Sequence, residues 1–213
     1  IVLTWDDGQA VMRNCPSVSV ATPVVQQFGE VKFGEERSQY PILGVQPVFQ
    51  DVRNYYVENG RFFGALDELA KTNACVIGHG VLTELKLPAD PVGRNLLLEG
   101  RSCTIIGVME PKGQLLGQEL DKFVMIPYAT AVSRWGHVVE ENTAFLVRAH
   151  SPEIVDQAAD EIENTLRVRH RLRSDQPSDF KVSTQKEFLK SFTKFANGVT
   201  YVVAGVVSIA LLV

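Results

Sequence analysis

The chain has 213 residues, 45% hydrophobic and 22% charged, a balance that excludes a disordered protein and allows one large domain or two small ones around a sizeable core. Its 21 Lys and Arg against 25 Asp and Glu leave a net charge of −4, so no overall basic field gathers nucleic acid at long range. Cys15, Cys75 and Cys103 form no C-x-x-C pair and sit in or beside apolar runs. They read as small buried hydrophobes, and a disulfide between two of them would fit an oxidising compartment, though the sequence does not choose the pair.

In chain order, Ile1–Thr4 reads as a strand, and Asp6 or Asp7 can cap a short helix through Val11 and Met12 that has to end before Pro16. Val18–Phe33 alternates apolar and polar residues, Gly34-Glu35-Glu36-Arg37-Ser38 supplies a turn, and Tyr40–Val45 completes a long hairpin. Short strands broken by Gly and Pro follow. Ala74–Ile77 reads as a buried strand and His79–Leu85 as a short helix. Asn95–Leu98 pairs with Cys103–Val108 across Glu99-Gly100-Arg101, and Phe123–Ile126 is a strand stopped by Pro127. The first texture then returns. Thr143–Ala149 is a strand, and Pro152 opens a helix whose Ile154, Val155, Ala158, Ala159, Ile162 and Leu166 keep helical spacing. Phe180–Val182 reads as a short last strand.

The expected class is α+β. Residues 1–45 and 141–183 are expected to form a ferredoxin-like (split βαβ) lobe from β-α-β units at the two ends. Residues 46–140 are expected to form a β-rich lobe inserted into it.

Thr184-Gln185-Lys186-Glu187 has the T-x-x-E form of a capping box, which predicts an amphipathic helix over 184–197. Phe188, Leu189, Phe192 and Phe195 form its apolar stripe, and Lys186, Lys190 and Lys194 lie on another face. It can run unbroken through Asn197 into Gly198–Val213, which carries no charge. That run is shorter than the ~20 residues a bilayer span needs. It is apolar on every face, with Gly198 and Gly205 as small packing residues. It therefore reads as the start of a transmembrane helix cut short, with Val202, Ile209 and Val213 in the membrane. A buried core helix is the other reading. Lys181, Lys186, Lys190 and Lys194 ahead of this run favour a cytoplasmic side by the positive-inside rule, although long domains translocate largely regardless of charge. The first residues lack the charged region and long apolar stretch of a signal peptide, and the chain is expected to be the middle of a longer protein.

Sites of chemistry are mostly rejected. Gly78-His79-Gly80 follows a strand and precedes a helix as a dinucleotide loop does, but Thr83 stands where the third glycine belongs. The sequence has no G-x-x-x-x-G-K-[ST] loop for ATP phosphates and no G-x-S-x-G elbow. His79, His137, His150 and His170 lack the spacing by which one element presents two metal ligands. No cofactor or metal is expected, and the domain is not expected to be an enzyme by itself. The run Arg167-Val168-Arg169-His170-Arg171-Leu172-Arg173 invites a partner or anionic headgroup, but cations in a last helical turn are favoured by the macrodipole and the following residues form a plain turn.

Seven pieces carry a family resemblance. They are G-V-Q-P-V-F at Gly44–Phe49, N-G-R-F-F at Asn59–Phe63, A-C-V-I-G at Ala74–Gly78, P-V-G-R at Pro91–Arg94, C-T-I-I-G-V-M at Cys103–Met109, V-M-I-P at Val124–Pro127, and L-R-V-R-H at Leu166–His170 with D-F at Asp179–Phe180. In this order they resemble the extracytoplasmic core domain of MacB-type permeases. The resemblance implies a two-lobed domain between the first and second transmembrane helices of an ABC-transporter permease in the bacterial inner membrane, with the domain on the periplasmic side. It implies a homodimer or paired permease subunit, a cytoplasmic ABC ATPase, a periplasmic adaptor where efflux is the task, and no nucleic acid. Hydrolysis would reach the domain through helical stalks, here Thr184 to Val213, with Thr184, Glu187, Phe188, Phe192, Phe195 and Asn197 in the stalk helix. The alternative is a membrane-tethered interaction domain that regulates an envelope enzyme, as FtsX-type permeases are thought to do.

Overall fold

The computed structural model describes residues 3–115, 118–136, 139 and 142–187. Its longest element is β1 (Val18–Phe33), which turns into β2 (Glu36–Val45) through Gly34 and Glu35. Gly34 takes φ 60°, a left-handed conformation that suits the first residue of such a two-residue turn. The first half of β1 pairs with β10 (Thr143–Ala149), from Val18 opposite Ala149 to Val25 opposite Thr143. Its second half pairs with β2, and its end with β5 (Asn95–Leu98), Val31 opposite Leu98.

Those pairings close a ring. β2 runs parallel to β9 (Val124–Pro127), which lies antiparallel to β4 (Ala74–Ile77). β4 is parallel to β6 (Arg101–Met109), β6 antiparallel to β5, and β5 returns to β1. The order β1-β2-β9-β4-β6-β5 is thus a six-stranded barrel, and closure removes the free edges a flat sheet would leave. Period-2 alternation fills it with Val25, Val31, Tyr40, Ile42, Cys75, Ile77, Leu96, Leu98, Cys103, Ile105, Val124 and Ile126. Val81 and Leu85 from the α4 region (α4, His79–Glu84, with Leu85 at its C-cap) and Ala131 and Trp135 of α5 (Tyr128–Trp135) join this core.

β4 and β9 are apolar throughout because both of their faces are covered. Their outer residues Ala74, Val76 and Met125 meet Phe49 of α2 (Phe49–Arg53), Tyr55, Phe62 and Phe63 in a second core. β3 (Val57–Gly60) extends the sheet beside β6, α3 (Ala65–Leu69) precedes β4, and β7 (Gln114–Leu115) with β8 (Gln118–Glu119) forms a small finger. Full burial of one Val, Leu, Ile or Phe side chain is worth ~1.5–3 kcal/mol, so the two cores dominate the favourable side of folding.

A third core lies under two helices. α1 (Trp5–Asn14) and α6 (Val155–Arg169), the latter entered through a short helical turn at Pro152–Ile154, bury Val11, Cys15, Ala158, Ile162 and Leu166 against Val18 and Val147. Gly8 lets α1 approach closely, since a Cβ there would stand 2.1 Å from the Phe145 ring.

The α+β class is as expected, and several details differ. Leu3 and Thr4 are not a strand, and Thr4 rather than Asp6 or Asp7 is the N-cap of α1. Phe180 lies in a bend, Lys181 and Val182 belong to no strand, and Phe180 and Val182 pack on the third core. The β-α-β units of a ferredoxin-like lobe are therefore not formed by the described residues. Among the described residues, 46–140 include the helices α2 to α5 as well as strands, and β2–β9 pairing joins them to the hairpin in one sheet. Among the described residues no helix is long and apolar enough to cross a membrane.

Candidate functional site

The segments that lead into and out of the domain share the surface carrying α1 and α6. Thr4 opens α1 with a capping box: its hydroxyl oxygen accepts from Asp7 N–H at 3.3 Å, and its own N–H donates to Asp7 Oδ2 at 2.9 Å. Asp7 is only 4% exposed, a position a carboxylate holds only when paired. Arg169 in the last turn of α6 supplies the pair, donating from Nε to Oδ1 at 2.8 Å. Burial pushes the Asp7 carboxyl up, but the bonds from Arg169 and Thr4 outweigh it and hold the carboxyl at about 2.

His170, which ends α6, joins this pair to the outgoing segment. Its Nδ1 lies 2.8 Å from Asp179 Oδ1 and its Nε2 3.6 Å from Asp7 Oδ2. Its ring stands edge-on to Phe180 at 5.6 Å. Phe180 and Val182 share the third core with Leu3. One cluster of Asp7, Arg169, His170 and Asp179 thus binds the incoming segment, the end of α6 and the outgoing segment. Past the other end of α1, Glu161 in the middle of α6 accepts from Ser17 N–H at 2.9 Å and from its hydroxyl at 2.8 Å, so α1 is held to α6 near both of its own ends.

Two arginines of the basic run make internal contacts. Arg167 donates to Ser178 Oγ at 2.8 Å and to the carbonyls of Arg173 and Gln176 at 2.7 and 2.9 Å, folding the turn between α6 and Asp179 around itself. With Arg169 on Asp7, the dipole at the end of α6 is the smaller part of what these arginines do. Arg173 stays exposed and pairs with Asp175 at 3.3 Å.

Of the expected stalk residues, Thr184 and Glu187 exchange the capping-box bonds, Glu187 N–H to Thr184 Oγ1 at 3.2 Å and Thr184 N–H to Glu187 Oε2 at 3.1 Å, and residues 185–187 are helical. Lys186 reaches Asp156 at 3.4 Å, an exposed pair worth little. Phe188, Phe192, Phe195, Asn197, Gly198, Val202, Gly205, Ile209 and Val213 lie outside the described residues.

Gly78 and Gly80 have a packing purpose. A Cβ on Gly78 would stand 2.2 Å from the Asp121 carbonyl oxygen, which accepts Gly80 N–H at 2.9 Å. The buried Asp121 carboxylate accepts Lys112 N–H at 2.8 Å, Gly113 N–H at 2.7 Å and the Tyr55 hydroxyl at 3.3 Å, which anchors the β7–β8 finger. An open cleft of about 640 Å3 lies between finger and α4. Its Glu84 and Glu119 are already paired with Lys122, at 2.9 and 3.4 Å. Among the described residues no group of three or more His, Cys, Asp and Glu is placed to hold a metal ion.

The sequence offers Asp7 as a candidate helix cap but carries no sign of its link to Arg169; T-x-x-D at Thr4–Asp7 has the form of a cap. Asp179 lies in the family piece D-F, and His170 in L-R-V-R-H, in the basic run and among the scattered histidines, and no local spacing pairs the two.

The profile of the MacB-like periplasmic core domain family matches residues 2–165. Among curated relatives, the macrolide export ATP-binding/permease protein MacB of Syntrophobacter fumaroxidans is 25% identical over 268 aligned residues, covering 100% of this chain and 37% of that protein. The pyoverdine export ATP-binding/permease protein PvdT of Pseudomonas aeruginosa is 27% identical over 209 residues, covering 97% and 31%. The chain spans about a third of the length of these relatives. Among solved structures, the periplasmic region of MacB from Actinobacillus actinomycetemcomitans has a TM-score of 0.71 at 14% identity, over 91% of this chain and 84% of that one. The extracellular domain of the noncanonic ABC-type transporter YknZ from Gram-positive bacteria has a TM-score of 0.66 at 19% identity, over 81% and 86%. At these identities the likeness is one of fold.

Proposed function

The chain belongs to the MacB-like periplasmic core domain family, and from that premise we propose that it is the extracytoplasmic domain of an ABC exporter's permease subunit in the bacterial inner membrane. ATP hydrolysis takes place on a cytoplasmic ATPase outside this domain, and the work reaches the domain through helices that flank it. The names of its relatives, which join ATP-binding and permease functions in exporters, support the transporter assignment.

The observation that carries the mechanism is the Asp7–Arg169–His170–Asp179 cluster. A displacement of either flanking segment acts on α6 through hydrogen bonds between buried or half-buried groups, so the two segments and the helix move together. In this reading the α1–α6 layer faces the membrane and the barrel projects from it, with β1 and β2 of residues 1–45 joining residues 46–140 in the barrel. The third core, built from residues of the two flanks, joins that layer to β1 and β10. The permease works as a homodimer or paired subunit, with a periplasmic adaptor where efflux is its task.

A break in the outgoing helix tests the coupling. In the full-length transporter, Asn197→Pro should keep ATPase activity and lose export, because proline inside a helix removes a backbone hydrogen bond at a cost of ~3 kcal/mol or more. Asn197→Ala is the helix-favouring control. Export by the Pro variant at the level of the Ala control would make the outgoing helix a tether and remove the coupling from the proposal.

A further inference from the structure

Both ring nitrogens of His170 face carboxylates, and the two carboxylates come from different segments. Nδ1 lies 2.8 Å from Asp179 Oδ1 on the outgoing segment, and Nε2 lies 3.6 Å from Asp7 Oδ2 in the first turn of α1. That Asp7 oxygen also accepts Thr4 N–H at 2.9 Å and the Thr4 hydroxyl at 2.7 Å, so it belongs to the cap that opens α1. The group is sheltered: the His170 side chain is 11% exposed, that of Asp179 13% and that of Asp7 6%. Arg169 of α6 stands beside them on Asp7 Oδ1 at 2.8 Å. Phe180 covers the ring edge-on and brings no charge, and Arg167 is turned away to Ser178 and to the carbonyls of Arg173 and Gln176.

A neutral imidazole carries one N–H, and an ionised carboxylate only accepts. With the proton on Nδ1 the ring donates to Asp179, and the lone pair on Nε2 faces the Asp7 carboxylate. With the proton on Nε2 the lone pair on Nδ1 meets the Asp179 carboxylate at 2.8 Å, a contact that repels. Only the charged ring, a donor at both nitrogens, is attracted to both. The 3.6 Å separation on the Asp7 side is that of an ion pair and too long for a hydrogen bond, so the neutral ring gains nothing there.

We propose that His170 is a positioning residue that works through its charge: protonated, it draws the outgoing segment and the cap of α1 together on the end of α6, and neutral, it holds only one of them. The inference deepens the mechanism proposed above and rests on it for its consequence, that the junction between the flanking segments tightens as the surroundings of an extracytoplasmic domain turn acid. The sign follows from the partners. A charged histidine that gains two carboxylates on folding contributes fully in acid, and the contribution is lost as the pH rises. Asp7, held at about 2, stays ionised throughout and does not share in that change.

Hydrogen exchange with mass spectrometry on the full-length transporter tests it. Peptides of residues 171–187 are followed from about pH 8 to about pH 5, the span over which histidines ordinarily titrate, with intrinsic exchange rates divided out. Protection in the wild type should rise roughly tenfold toward acid, the order expected of a bond to a charged group. His170→Gln keeps an N–H donor and cannot take a charge, and Asp179→Asn removes the carboxylate of the outgoing segment. Each should flatten the profile, and either one alone decides the point. A flat wild-type profile, or a rise that survives in either variant, would overturn the proposal and leave the transporter assignment standing. The coupling reading fails by a different sign, export by Asn197→Pro at one fixed pH.

Discussion

Arg169 Nε donates to Asp7 Oδ1 at 2.8 Å across 162 positions of sequence, and this one bond fastens the last turn of α6 to the first turn of α1. Each partner also completes its own helix end. The carboxylate caps the positive end of α1, and the guanidinium lies at the negative end of α6.

Asp7→Asn should lower stability by about 1.5–3 kcal/mol, the usual worth of a hydrogen bond to a charged group. Denaturant unfolding checks it, with a shifted midpoint and an unchanged m-value. The pH dependence has a definite sign. The folded carboxyl is held at about 2 against an ordinary 3.8. Its contribution is fully present above the ordinary value and lost as pH falls through the folded one, roughly 2 kcal/mol in all. The gap between wild type and Asp7→Asn should therefore narrow as the pH falls from 3.8 through about 2. A gap that stays constant would show that Asp7 is not the titrating group.

Gly78→Ala should destabilise the barrel by roughly 1–3 kcal/mol, the usual cost of overpacking. The added methyl meets a backbone oxygen 2.2 Å away, which cannot rotate aside as a side chain can. The same variant should expose the β7–β8 finger to protease, because Gly78 packs against the residue that anchors it. Unchanged stability and cleavage would mean that Asp121 can retreat.

Gln114→Cys, at the exposed finger, should react with a membrane-impermeant thiol reagent in intact cells or in cells with a permeabilised outer membrane. Reaction only after lysis would place the domain on the cytoplasmic side and sink the proposed localisation.

Local order was legible where pattern and turn chemistry agree. Alternation over Val18–Phe33 and the Gly34 turn give the long hairpin, and Glu99-Gly100 gives the β5–β6 hairpin. α2 and α3, at five residues each, are too short to show a helical period. Pro127 was legible as the stop of β9, but its φ of −56° also suits the start of α5, which the sequence reading missed. Phe180–Val182 has the composition of a strand and no partner to pair with. Ring closure and the junction share one cause of concealment. Val31 meets Leu98, and Asp7 meets Arg169, only through tertiary placement that no local window contains.

Closure of the barrel also sets an order of events during synthesis. The ring needs β2 beside β9, so Ile42 has to wait for Val124. As the chain emerges from its N-terminus, the apolar inner faces of β1, β2, β4, β5 and β6 stay uncovered until Pro127 has appeared. Such non-local pairing is slow, because loop closure must precede the contacts that reward it. The nascent domain thus passes through a stage that holders of unfolded chains can recognise, and premature release at that stage exposes strand edges to aggregation.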